Sequence, residues 1–260
     1  MSRAAQPPSH LGRSFNRRRV LAGGAAAALA GGLPAPAKAV EVCDLLLALS
    51  ADVSRSVDAT KFKLQREGYA AAISDPRVMR LIEAGANRKI ALCFIEWSNA
   101  GAASVMVDWQ SIGTRAEADA FAAAVMAAPR HYMDRTSIST GIDFALAHMG
   151  KSPFGADRRV IDISGDGTHN SGRSVNDARD EAIEKGVTIN AIAILSAVPL
   201  LYNPTHTHPP GGLRKYFEDN VIGGPGAFAL EAESFQAFGQ AIVQKLIKEI
   251  AAVPDAKRTA

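Results

Sequence analysis

The chain has 260 residues, with 29 Lys and Arg against 26 Asp and Glu, a formal charge of +3. Residues 1–39 hold six of the basic residues and no acid, so the remainder carries 23 basic against 26 acidic residues and is formally −3. That balance excludes the clustered basic face a nucleic-acid partner would need, and the length suits one α/β domain with a well-buried core.

The N-terminal segment reads as an export signal. Arg17-Arg18-Arg19 stands directly before the Ala/Gly-rich run Val20–Leu33. That run is too short and too weakly apolar to span a bilayer, for which about 20 apolar residues are needed. It ends at Ala37-Lys38-Ala39, an A-x-A cleavage pattern. Asn16-Arg17-Arg18-Arg19-Val20-Leu21 resembles a twin-arginine signal; an ordinary Sec signal or a basic disordered tail are the alternatives. The expectation is a cleaved signal over 1–39, a periplasmic domain over 40–252 with no stable membrane span, and a disordered tail over 253–260.

Strands are expected at Asp44–Ala51, Lys89–Trp97, Ser104–Trp109, Arg159–Ser164, Val187–Leu195 and Ala227–Leu230. Four of these are nearly continuous apolar runs (LLLALS, IALCFIEW, VIDIS, VTINAIAIL), the mark of parallel strands covered on both faces. Ser104–Trp109 follows its predecessor across Asn99-Ala-Gly101, a hairpin signal that makes it an antiparallel edge. Helical patterns lie between them at Asp58–Ser74, Arg115–Ala127, Ser137–Met149, Ser174–Lys185 and Ser234–Ala251, with Pro76 breaking the first and leaving a continuation to Ala84. This alternation predicts a doubly wound, mostly parallel six-stranded sheet with one antiparallel edge strand and helices on both faces. Cys43 and Cys93 read as buried thiols, with a disulfide the less favoured alternative.

Ligands of such sheets bind beyond the carboxyl ends of the strands. Three oxygen-rich loops fall there: Asp52-Val-Ser54-Arg-Ser56 after the first strand, the segment around Thr136, and Asp166 in Ser164-Gly-Asp-Gly167. These side chains are hard oxygen donors with no imidazole or thiolate among them, a set for Mg²⁺, Ca²⁺ or Mn²⁺ and not for zinc. Two carboxylates roughly neutralise a divalent ion, which stays electrophilic toward an outside carboxylate. Capping of the following helix is the competing account of Asp52 and Ser54, and it leaves Thr136 and Asp166 unexplained.

On Asp52-Val-Ser54-Arg-Ser56, Thr136 and Asp166, the chain resembles a von Willebrand factor type A domain with a metal-ion-dependent adhesion site, over about residues 41–251. More narrowly it is similar to a group of exported bacterial proteins with this domain, through Phe94-Ile-Glu-Trp-Ser98, Arg135-Thr-Ser-Ile-Ser139, Val160-Ile-Asp-Ile-Ser-Gly-Asp-Gly167 and Val221-Ile-Gly-Gly-Pro-Gly-Ala-Phe228. The resemblance implies that Ser54 and Ser56 ligate the ion directly, that Asp52 and Asp166 act largely through water, and that Thr136 is a switchable ligand. It implies Mg²⁺, with Mn²⁺ or Ca²⁺ as alternatives, since Mg²⁺ keeps several waters and binds few carboxylates. It further implies a protein partner that presents an Asp or Glu to the metal. Arg55 departs from the family, which often has glycine there.

Arg55 is read as steering acidic partners, with a merely solvated side chain as the equal alternative, and Trp97 as packing, with a partner contact as its lesser alternative. His206 and His208 in the Pro/Gly-rich NPTHTHPPGG offer soft-metal ligands, but no third ligand is placed nearby, so a flexible, solvated loop is the favoured reading; it lies on the ligand-binding edge, where they too can shape partner choice. A catalytic role is not expected. The rival reading, a periplasmic metal-dependent hydrolase of phosphatase type, needs a second acid beside Asp52, and that position is Ser54. No Gly-x-Ser-x-Gly elbow is present.

Overall fold

The structure is a computed structural model and describes residues 40–252. The export signal read in residues 1–39 and the tail read in 253–260 lie outside the described residues. In chain order the elements are β1 (Glu41–Val42), β2 (Leu46–Asp52), α1 (Ala59–Ile73), α2 (Pro76–Ala84), β3 (Ile90–Trp97), β4 (Ala103–Ile112), α3 (Arg115–Ala127), α4 (Ile138–Met149), β5 (Phe154–Gly155), β6 (Arg159–Gly165), α5 (Val175–Glu184), β7 (Thr188–Ile194), α6 (Pro204–Thr207), α7 (Leu213–Asn220), β8 (Ala229–Ala232) and α8 (Phe238–Ala251).

Six strands form one sheet in the order β4-β3-β2-β6-β7-β8. All neighbours are parallel except β4, which runs antiparallel to β3 at the edge. The chain leaves β2 for β3 on one side and later returns to β6 on the other, so the strand order switches at β2. β2 and β3 are buried at every position, which is why their runs show no polar alternation. Their side chains still divide between two cores. Leu45, Leu47 and Leu49 pack with Tyr69, Phe121 and Phe238 under α1, α3 and α8, while Ala48, Cys93 and Trp97 pack with Ile142, Ile163 and Phe217 under α4, α5 and α7. Tyr69 meets Phe94 and Phe238 edge to face, with centroids 5.2 and 5.1 Å apart. Both thiols are free and buried, and no helix among the described residues is long and apolar enough to cross a membrane.

The differences from the sequence expectation are local. β2 extends to Asp52, whose backbone pairs in register with Trp97. The last strand is Ala229–Ala232, two residues later than expected. The last helix starts at Phe238; before it, Ala237 N–H and Phe238 N–H bond back to the Ser234 and Phe235 carbonyls, a turn rather than an α-helix. The two-residue pair β1–β5 and the helices α6 and α7 were not expected.

The second core holds a tight contact. Gly141 of α4 leaves no room for a side chain, because a Cβ there would lie 2.5 Å from the Trp97 indole nitrogen. Gly141→Ala gains about 1 kcal/mol of helix propensity but overpacks the core by about 1–3 kcal/mol. Net loss of stability in thermal melts is the expected result; an unchanged or raised Tm would show that the indole moves aside freely.

A charged cluster crosses the first core. Lys245 of α8 is 0% exposed, with its ammonium 2.5 Å from Asp162 and 2.6 Å from Glu249. Asn190 on β7 donates to the same Glu249 oxygen at 2.9 Å and accepts the backbone N–H of Phe228. At the amino edge of the sheet, Val40 and Ala252 line one cavity of about 840 Å³ together with Gly85 and Arg158.

Candidate metal centre

Five side chains from three loops meet at the carboxyl edge, beside the switch in strand order. Asp52 ends β2, Ser54 and Ser56 lie in the loop that follows, Thr136 precedes α4, and Asp166 follows β6. The Asp52 carboxylate accepts the Ser54 N–H at 2.7 Å through Oδ1, which turns the loop, while its Oδ2 is buried with no partner. Ser54 Oγ lies 3.2 Å from Ser56 Oγ and accepts from Thr136 Oγ1 at 2.9 Å. The Ser56 hydroxyl donates to Asp166 Oδ1. Ser56, the most open of the five, is 6% exposed.

The helix cap is a different residue. Asp58 accepts the Lys61 N–H at 2.9 Å and caps α1, so Asp52 and Ser54 are free of that duty.

Three polar anchors set the loops. Arg130 Nη2 donates to the carbonyls of Val53 at 2.8 Å and Val57 at 2.6 Å, gripping the first loop from both ends. Ser98, at the end of β3, fixes the second: its hydroxyl accepts the Asp134 N–H and donates to the Arg135 carbonyl, and its own carbonyl accepts the Ser137 N–H. Asn170 ties the second loop to the third, accepting the Thr136 N–H on its side chain while its own N–H bonds the Thr136 carbonyl.

Burial, then the charge of Asp166, raises the Asp52 carboxyl to about 8, against the pull of Ser54 and Arg130. Lys61 partly offsets Asp166, its ammonium 3.1 Å from Oδ2 and 2.7 Å from the Ser56 carbonyl. Ligands set at right angles about 2.1 Å from a small ion stand about 3.0 Å apart, and the hydroxyl spacings of 2.9 and 3.2 Å match this. Two carboxylates, one of them with an orphaned oxygen, and three hydroxyls make a donor set that fits a small divalent cation. Among the described residues no group of three or more His, Cys, Asp and Glu could hold a metal, so any ion here depends on the hydroxyls.

A cavity of about 550 Å³ opens onto the cluster, lined among others by Arg55, Arg135, Thr136, Tyr202 and His206. Arg55 stands at its rim, 3.9 Å from Asp134. Trp97 is packing and corrects its alternative of a partner contact: it is 0% exposed, held inward by the pleat of β3 against Gly141. His206 corrects the expectation of a solvated loop. The single turn Pro204–Thr207 carries it inward to 4% exposure, and its Nε2 lies 3.3 Å from Thr136 Oγ1. Burial holds its imidazole below the usual histidine range although Asp166 pulls it up. His208 points away, exposed and bonded to Thr207 Oγ1 at 3.0 Å, and does not line the cavity. Arg130, Ser98, Asn170 and His206 thus shape the site alongside the five motif residues. In sequence, His206 stands at this edge among the expected partner contacts and Ser98 directly after a strand end there, whereas nothing marks Arg130 or Asn170.

Residues 42–254 match the model of a family described as Protein of unknown function (DUF1194). No curated protein matches the chain. Among solved structures it is similar to the pilus adhesin SpaC from Lactobacillus rhamnosus GG, at 14% identity and TM-score 0.58, over 80% of this chain and 30% of that one. It is similar also to proximal thread matrix protein 1 from the mussel byssus with a zinc-occupied MIDAS motif, at 15% identity and TM-score 0.53, over 80% and 46%. A von Willebrand factor type A protein from Catenulispora acidiphila matches at 15% identity and TM-score 0.53, over 80% and 43%. The chain spans less than half the length of each of these structures. The likeness is one of fold, and that fold is the von Willebrand factor type A fold.

Proposed function

The chain belongs to the DUF1194 family, and from its site we propose that it is an exported, non-catalytic module that binds a protein partner through a divalent cation. The observation that carries this reading is Asp52: a fully buried carboxylate with one oxygen unpartnered, beside a second buried carboxylate and three hydroxyls. Such a charge is costly without a compensating cation. Asp52, Ser54, Ser56, Thr136 and Asp166 are the proposed ligands of Mg²⁺ or another divalent ion, directly or through water.

An ion balanced by two carboxylates accepts a further one, and the cavity above it has room for a partner's Asp or Glu. Arg55 and Arg135 on its wall favour an acidic partner. The adhesin name of SpaC and the zinc-occupied motif of the byssus protein support a metal-dependent binding role. Arg17-Arg18 and Ala37-Lys38-Ala39 support export to the periplasm by the twin-arginine route. Turnover lacks its chemistry, because Ser54 stands where a hydrolase of this type needs a second acid.

Calorimetric titration of Mg²⁺ and Mn²⁺ into wild type, Asp52→Ala and Thr136→Ala tests the site. Wild type is expected to bind, Asp52→Ala to lose binding while keeping its far-ultraviolet spectrum, and Thr136→Ala to bind more weakly. Equal heats from wild type and Asp52→Ala, or none from wild type up to millimolar ion, would falsify the reading.

A further inference from the structure

His206 brings an imidazole to a cluster otherwise made of oxygens. Its Nε2 lies 3.3 Å from Thr136 Oγ1, and the residue, 4% exposed, lines the cavity above the cluster. The far side of the ring is pinned to the loop that carries Asp166. Nδ1 is 3.3 Å from Thr168 Oγ1 and 3.5 Å from Asn170 Nδ2, and the His206 carbonyl accepts the Thr168 N–H at 2.9 Å. Gly167 keeps the space open: a Cβ there would lie 2.2 Å from Nε2 and 2.3 Å from Cε1.

We propose that His206 Nε2 is a further ligand of the cation at this site, and that it turns the site's preference from Mg²⁺ toward Zn²⁺ and Co²⁺. This rests on the cation site proposed above. A metal-binding imidazole ordinarily donates its other N–H to a fixed acceptor, which sets the tautomer. In the hydrogen-bond network Thr136 Oγ1 donates to Ser54 Oγ and so accepts from His206 Nε2–H. On ion binding the proton passes to Nδ1, where the Thr168 hydroxyl is placed to accept its hydrogen bond, and the Nε2 lone pair is left for the ion. Two ligands each about 2.1 Å from one ion are about 3.0–3.4 Å apart, and the Nε2 to Thr136 Oγ1 separation falls in that range. Carboxylates and hydroxyls alone favour Mg²⁺, whereas an imidazole among them favours zinc-like ions.

The test titrates Mg²⁺, Zn²⁺ and Co²⁺ into the full chain and into His206→Phe, which keeps a ring over Gly167 without a donor atom, with His206→Asn as the smaller variant. Wild type is expected to bind Zn²⁺ at least about tenfold more tightly than Mg²⁺, and each variant to lose about 10–100-fold of the Zn²⁺ affinity with little change for Mg²⁺. Copper-loaded wild type should show the hyperfine coupling of one imidazole nitrogen in its paramagnetic resonance spectrum, and His206→Phe should not. If one variant melts early, the other supplies the comparison.

Unchanged Zn²⁺ affinity in the folded variants overturns the inference and leaves the cation site standing, with His206 a hydrogen-bond partner of Thr136 only. The same follows if Zn²⁺ affinity survives Asp52→Ala while Mg²⁺ affinity is lost, or if His208→Ala removes it as fully as the His206 variants do. Absence of any ion from wild type overturns both proposals.

Discussion

Lys245→Met is expected to cost about 3–5 kcal/mol, because it strips the counter-ion from two buried acids. Against a total stability of about 5–15 kcal/mol, that is enough to unfold a substantial share of the molecules in mild denaturant. The ammonium sits 2.5 Å from Asp162 and 2.6 Å from Glu249, and all three side chains are 1% exposed or less. The loss should also depend on pH. Burial raises the Asp162 carboxyl to about 7 even with the Lys245 ammonium pulling it down, whereas in the unfolded chain it titrates near ~3.9. Between about pH 4 and 7 the folded state therefore holds more protons than the unfolded one. In wild type this group's contribution falls as pH rises through that window, by at most about 1.4 kcal/mol per unit. Removing the ammonium pushes the carboxyl higher still, so the variant's deficit should be larger at pH 8 than at pH 5, where a neutral acid needs no counter-ion. Urea unfolding at both values measures it. A deficit below about 1 kcal/mol at pH 8, or one that does not shrink in acid, would contradict this account of the cluster.

Asp52→Asn should reverse an order of stability. Without added cation the amide replaces a carboxylate that is fully buried, repelled by Asp166 and unpartnered at Oδ2, so the variant should melt above wild type at pH 8. With Mg²⁺ at about a hundred times its dissociation constant, wild type should gain about 2.7 kcal/mol from binding and the variant almost nothing. The two melting curves are then expected to change places on addition of the ion and to change back on chelation. Curves that shift in parallel would mean that Asp52 is not at the ion.

The sheet was legible in the sequence because β2, β3, β6 and β7 lie between two cores and carry apolar residues on both faces. Two motif loops were legible because they directly follow such strands, and the Thr136 segment because it directly precedes α4. What escaped was built from distant pieces. His206 sits in a Pro/Gly-rich stretch that looks solvated, and only the packing of its ring on Gly167, with Thr136 70 residues away in sequence, draws it inward. Arg130 follows a proline and looks like any loop arginine, yet it bonds three carbonyls more than 70 residues earlier. α7 is mostly polar, and only Leu213 and Phe217, one turn apart, mark its buried face. The Lys245 cluster did leave a trace: an acid in the middle of the run VIDIS, and a lysine and glutamate four apart on the stripe Ile242, Leu246, Glu249.

The cavity shared by Val40 and Ala252 has a practical side. Both ends of the described domain come together at the amino edge of the sheet, and the oxygen cluster lies at the carboxyl edge. A tag, a surface attachment or a fused neighbour joined at either end would therefore leave the cluster facing outward. The protein can be immobilised from either direction for binding measurements, and both orientations should report the same affinity.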